Sequence, residues 1–170
     1  DAVMAFLDFV PDAPSNTFRI DPKLPSAWTT MTFNNVTLVN TPAGHTHKVN
    51  VTVTNDDPAG TVTVNLTNTS GFAVNADVNP RIPSGQAAKI GVCSVTVNGT
   101  PIAQGIDYLL DPATGRVDIA PQALSTGANA VTSIVVNYGI SADVNDDNVL
   151  DLGDFFEFLN DFDSTLPGAD

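Results

Sequence analysis

Basic residues are scarce in this sequence. Six Lys and Arg stand against 19 Asp and Glu, a formal net charge of −13. A surface of that sign repels phosphate backbones and anionic headgroups, which argues against nucleic acid as a partner and against a membrane-surface role. Cysteine occurs once, at Cys93, so no disulfide can form within the chain, and one thiol leaves the redox compartment open. Its neighbours, Ile90 to Val95, are those of a small side chain buried in a strand. No apolar run is long enough to span a membrane. Glutamate also occurs once, at Glu157, which is unusual for a protein built of solvated helices. Catalytic signatures are missing too. There is no Gly-x-Ser-x-Gly, no His-Glu-x-x-His and no phosphate-cradling glycine loop, so the expectation is a non-enzyme.

Val, Thr and Asn fill the sequence in their place, and they suit strands and turns. Residues 48–54 alternate cleanly, with Val49, Val51 and Val53 against Asn50, Thr52 and Thr54. Residues 61–67 repeat the pattern with Val62, Val64 and Leu66. A period of two marks half-buried strands, and the turn-forming residues 55–60 between them make a hairpin. Further strands are expected over 30–39, 72–78, 87–97, 106–110, 116–119 and 131–138, with a turn at 111–115. About eight short strands and no amphipathic helix before residue 150 predict an all-β fold, an antiparallel β-sandwich. With 170 residues the chain can bury a core without staples. The expected organisation is an N-terminal extended segment over 1–26, the sandwich over 27–140 and an acidic unit over 141–170.

The segment Val51–Asn55, Phe72 and Ile82-Pro83-Ser84-Gly85-Gln86 resembles the Ig-like domains of bacterial surface proteins. That resemblance implies a fold and no function. Residues 105–117, from Gly105-Ile106-Asp107-Tyr108 to Arg116-Val117, resemble a hairpin of phage tail and other virion β-proteins.

The most specific pattern lies near the C-terminus. From Ser141 to Asp170 there are nine carboxylates and no Lys or Arg. Counting from Asp143, oxygen ligands fall at the positions of an EF-hand-like calcium loop: Asp143, Asn145, Asp147, the carbonyl of Val149, Asp151 and Asp154. Leu150 supplies the apolar anchor, and Phe155, Phe156, Phe158, Leu159 and Phe162 follow at helical spacing, one short helix. Ca2+ takes six to eight hard oxygens, so these residue types at this spacing point to Ca2+ as the cofactor. The run from Ala142 to Phe162 resembles the dockerin-type repeat of secreted bacterial proteins, which also ends its loop on Asp. Dockerins carry two such units and this sequence has one, so the resemblance implies a calcium site without implying a cohesin partner. Asn148 replaces the glycine usual at the sixth position, and Asn tolerates the positive φ needed there. The expected affinity is low, on the order of 10⁻⁴ M, a range suited to extracellular calcium.

The N-terminal run is apolar on both faces through Val3, Met4, Phe6, Leu7, Phe9 and Val10. Its ordinary place is a first strand of its own sandwich. Its alternative place is as a donor strand that completes a neighbour's sheet, with the Pro-rich residues 12–26 as spacer. Together with the calcium loop, this leads to the expectation of an extracellular structural subunit of a surface filament, pilus or layer, self-associated into a homopolymer. A dockerin-like or carbohydrate-binding module of a secreted protein is the alternative, and a virion tail or decoration protein a further one. A chain that starts at Asp1 is expected of an exported protein whose signal peptide has been removed. His45 and His47, two apart, read as exposed loop residues more readily than as a metal pair. Five Asn-x-Ser/Thr sequons stand at Asn35, Asn50, Asn65, Asn68 and Asn98, so a glycan is a possible modification.

Overall fold

The computed structural model describes residues 6–25, 28–38, 44–56, 60–82, 92–111, 114–138, 152–153 and 155–156. Strands dominate them: β1 (Val10–Asp12), β2 (Thr17–Ile20), β3 (Thr30–Leu38), β4 (His47–Asp56), β5 (Thr61–Asn68), β6 (Asn75–Val78), β7 (Val92–Val97), β8 (Thr100–Ile102), β9 (Tyr108–Asp111), β10 (Arg116–Ile119), β11 (Gln122–Ala123) and β12 (Ala130–Tyr138). The alternation at residues 48–54 and 61–67 does what it dictates. Each Val or Leu of that set is buried, and the Asn and Thr between them are half-buried. β4 and β5 pair antiparallel from Val49↔Asn68 to Asp56↔Thr61.

That hairpin lies inside a six-stranded antiparallel sheet, ordered β3-β4-β5-β12-β7-β8, with β5 and β12 at its centre. β7 and β8 join through Asn98-Gly99, both at positive φ (51° and 77°), as a two-residue type I′ turn requires. β3 slips register between Phe33 and Val36, where Asn35 turns to a φ of 57° and its N–H donates to Asn50 Oδ1 at 2.8 Å. Such a bulge at an edge strand discourages pairing with another chain.

The second sheet is mixed, ordered β1-β2-β6-β11, with β2 and β6 parallel and the other pairs antiparallel. A separate hairpin, β9–β10, continues from the end of β6. Val117 N–H donates to Pro80 O and Ile82 N–H to Gly115 O, both at 2.9 Å. One core unites the layers. Phe18, Ile20, Ala76 and Val78 from the mixed sheet share a buried cluster with Val51, Val64, Leu66, Ile134 and Val136 from the larger one. Fully burying a Val, Leu or Ile is worth about 1.5–3 kcal/mol, so this cluster is the main source of stability. The architecture is β-sandwich-like and mixed, not wholly antiparallel.

Some element bounds move. β6 begins at Asn75 because the preceding residues follow the loop shaped by Asn68, whose side chain donates to Phe72 O at 2.7 Å and accepts from Gly71 N–H at 2.9 Å. β9 begins at Tyr108 because residues 105–107 form a turn. The Pro-rich stretch contains an unexpected strand, β2, inside the sandwich.

The reading as a filament, pilus or layer subunit built by donor-strand exchange is corrected here. Leu7 is 0% exposed and Phe9 9% exposed, both in the chain's own core, and Phe6 packs against it. The backbone is tied down as well: Asp21 N–H donates to Leu7 O at 2.7 Å and Lys23 N–H to Phe6 O at 2.8 Å. Val10, expected as part of the same apolar donor run, is exposed on β1, which pairs with the chain's own β2. Residues satisfied in this way have nothing left to donate to a neighbour, and the homopolymer expectation loses its basis. Val3 and Met4 lie outside the described residues.

Leu7→Ala should therefore destabilise the isolated chain by about 2–5 kcal/mol in urea unfolding, the cost of a core truncation. An unchanged unfolding midpoint would return this segment to a free role.

Candidate functional site

The mixed sheet and the β9–β10 hairpin meet over a buried carboxylate. Asp21, at the end of β2, accepts from Asn79 Nδ2 at 3.0 Å, and Asn79 Oδ1 in turn accepts from Ile119 N–H at 3.2 Å. Two of the chain's six cations converge on it, Arg19 at 4.0 Å and Arg116 at 3.7 Å. Arg116 Nε also contacts Asp118, out of line for a hydrogen bond, so that contact is ionic. The buried pair thus fixes the root of a half-exposed arginine.

Above this node a cleft of about 330 Å³ opens, lined by Asp77, Asn79, residues 106–109, Arg116, Asp118, Ile119 and Ala120. Alternation along β6 and β10 places Asp77 and Asp118 beside it, while Val78, Val117 and Ile119 go to the core. Burial pushes the Asp77 carboxyl above its usual range, against the opposing pull of the Asn79 side chain and of Arg19. The rim at 103–108 is closed on itself. Asp107 Oδ2 accepts from Ala103 N–H at 2.9 Å, Asp107 N–H donates to Ala103 O at 2.8 Å, and Ala120 N–H donates to Asp107 O at 2.8 Å. Gly105, at a φ of +80°, makes the tight turn that lifts Ile106 into solvent. The sequence names this stretch as a hairpin but offers no signal that its carboxylates gather with residues some 30 positions earlier.

A second cluster lies at the start of β4. His45 is exposed and stacks on Phe72, centroids 3.9 Å apart and planes at 4°. His47 corrects the expectation of an exposed loop residue: it is the first residue of β4, 1% exposed, edge-on to Phe72. It shares the face of Val49 and Val51, which is the core face. Neither ring nitrogen has a hydrogen-bond partner. Burial first, and then the nearby His45, hold its pKa below the ordinary histidine value.

The residues expected to ligate calcium, Asp143, Asn145, Asp147, Val149, Asp151 and Asp154, lie outside the described residues. Immediately beside them Leu152, Gly153, Phe155 and Phe156 are helical. Leu152, Phe155 and Phe156 are 69%, 53% and 63% exposed. Among the sequons Asn35 and Asn98 are exposed, and Asn50 and Asn65 are half-buried. Asn68 is corrected: its side chain is fully buried and committed to the loop at 70–72, so no glycan can be carried there in the folded chain. Cys93 lies in β7, as expected, and its side chain is outside the described residues.

No family model matches the chain, and no curated protein sequence matches it. Two solved structures are similar to it, both of a Flavobacterium johnsoniae GH31 dextranase. One is a mutant complexed with isomaltotriose, the other a complex with glucose. Each shows a TM-score of 0.42 and 12% sequence identity, over 71% of this chain and 16% of that chain. The chain thus spans about a sixth of the enzyme's length. A match this weak assigns no activity.

His47 gives the site a definite pH response. An unfolded histidine titrates near pH 6.5, whereas the buried ring titrates lower. Below about pH 6.5 the unfolded chain therefore binds the proton more readily, and stability falls until the folded value is passed. Urea midpoints measured between pH 7.5 and 5 should decline more steeply in the native chain than in His47→Leu. Parallel pH profiles in the two proteins would refute the assignment.

Proposed function

We propose that the chain is a non-catalytic interaction module of a longer secreted protein: an Ig-like sandwich with one dockerin-type calcium unit that docks a protein partner. One observation carries this reading. Leu152, Phe155 and Phe156 are helical and stand at the spacing i, i+3 and i+4 of one helix face. All three are exposed, the first just before and the other two just after the last position of the expected calcium-ligand pattern, Asp154. Three large apolar side chains held in water cost free energy unless something covers them part of the time. In the reading proposed, Ca2+ gathers the oxygens of Asp143, Asn145, Asp147, Val149, Asp151 and Asp154 and fixes the start of that helix. Ligand oxygens alone would repel one another in so acidic a segment; the ion removes that repulsion.

The affinity range also speaks to place. A lone loop ending on Asp rather than the bidentate Glu suits the weak sites of extracellular modules, about 10⁻⁴–10⁻³ M. Such a site is filled outside a cell and empty in a cytosol. Among the described residues no helix is long and apolar enough to cross a membrane.

Calorimetric titration of the full chain with Ca2+ should show one site with a Kd on the order of 10⁻⁴ M. Helical ellipticity should rise on binding, and the double variant Asp143→Ala, Asp147→Ala should abolish both signals. Absence of heat, with a melting temperature indifferent to EDTA, would remove the calcium unit and the docking role with it.

A further inference from the structure

The cleft over the Asp21 node has a chemistry that the calcium unit does not use. Its walls hold acceptors in Asp77, Asp107 and Asp118, a strong donor in Arg116, and two apolar side chains, Ile106 and Leu109, at 83% and 60% exposure. Each class narrows the ligand. Three carboxylates against one guanidinium exclude an anion, by the same repulsion that excludes phosphate from the whole surface. Among the described residues the carboxylates do not gather as a metal-ligand group. Acceptors beside a donor and beside exposed apolar carbons suit a ligand that carries hydroxyls around a C–H face.

The polar groups are also held in place. Asp118 contacts Arg116, whose other approach is to buried Asp21. Asp107 is fixed by the Ala103 N–H, and the rim that carries Ile106 is closed by backbone hydrogen bonds at both ends. A preformed cleft loses little ordering entropy when a ligand enters. Its volume, about 330 Å³, falls at the lower end of small-molecule sites. A hydroxyl that donates to a carboxylate makes a charge-assisted bond, stronger than a neutral one.

We propose that this cleft, between β6, β9 and β10, binds a neutral saccharide. Its residues are separate from those of the calcium unit, so the inference stands whether or not that unit docks a protein. Saccharide hydroxyls donate to the carboxylates of Asp77 and Asp118 and accept from Arg116, and the apolar face of one sugar ring covers Ile106 and Leu109.

The test is a titration of the isotope-labelled full chain, with Ca2+ present, against maltotriose, cellotriose, xylotriose and mannotriose at millimolar concentration, followed by amide shifts. At least one sugar should shift the amides of residues 106–109 and 116–120. The surface variants Ile106→Ser and Asp118→Asn should each weaken that binding about tenfold or more while the remaining spectrum stays folded. Chelating calcium should leave the response in place, which separates this site from the C-terminal unit. A flat response to all four sugars overturns the proposal. So does a response confined to other surfaces, or one produced only by a lysine-rich peptide, which would make the cleft a cation-recognising site.

Discussion

A single buried carboxylate organises one end of the sandwich. Asp21 is 3% exposed, and an unpaired charge at such a depth costs several kcal/mol. The structure offsets that cost by bringing polar groups from distant parts of the sequence to one point. Asn79, at the end of β6, donates to it, and Arg116, on β10, approaches it from the hairpin. Arg19, two residues earlier on β2, approaches from the near side. Even the backbone N–H of Asp21 is used, as a donor to Leu7 O. The N-terminal segment, both strands of the parallel pair and the β9–β10 hairpin are therefore tied to a single residue.

Shape at the surface follows from that node. Arg116 is drawn inward at its root and meets Asp118 at its flank, which sets one wall of the cleft. Asn79 holds the Ile119 N–H, which sets the floor. Parallel pairing of β2 with β6 is what lets the two ends, Asp21 and Asn79, lie side by side: the register Ile20↔Val78 puts the next residues of each strand together. An antiparallel arrangement would have sent them to opposite ends of the strand pair. The same closure explains why the N-terminal residues cannot serve another subunit, since Phe6 and Leu7 are bonded to the segment around Asp21.

How much of this was legible in the sequence depends on the range of the interaction. The β4–β5 hairpin could be read directly, because eight or more residues alternate strictly and the turn between them is local. β12, nine residues long, was legible for the same reason, and the four residues of β10 were legible because the turn at 111–115 stands directly before them. β2 was not: four residues flanked by prolines carry too little pattern, and its partner β6 lies more than 50 positions away. Asp21-Pro22 reads as part of the Pro-rich spacer, and nothing local tells that its carboxylate is buried. His47 was misplaced because the sequence around it, Gly44 to His47, resembles a loop, whereas its parity with Val49 puts it on the core face. Parity was the available signal. The proposed calcium loop, by contrast, rests on a ligand pattern in consecutive residues that lie outside the described ones, and the cleft is assembled from β6, the rim at 105–107 and β10, which no short window contains.

The most direct test of the Asp21 node is a double-mutant cycle. Unfolding free energies of Asp21→Asn, Arg116→Met and the double variant would be measured in urea at neutral pH. Charges sharing one buried network couple by about 0.5–3 kcal/mol, and a coupling in that range is the expected result. Additivity to within about 0.3 kcal/mol would show that the arginine does not depend on the carboxylate, and would contradict the account.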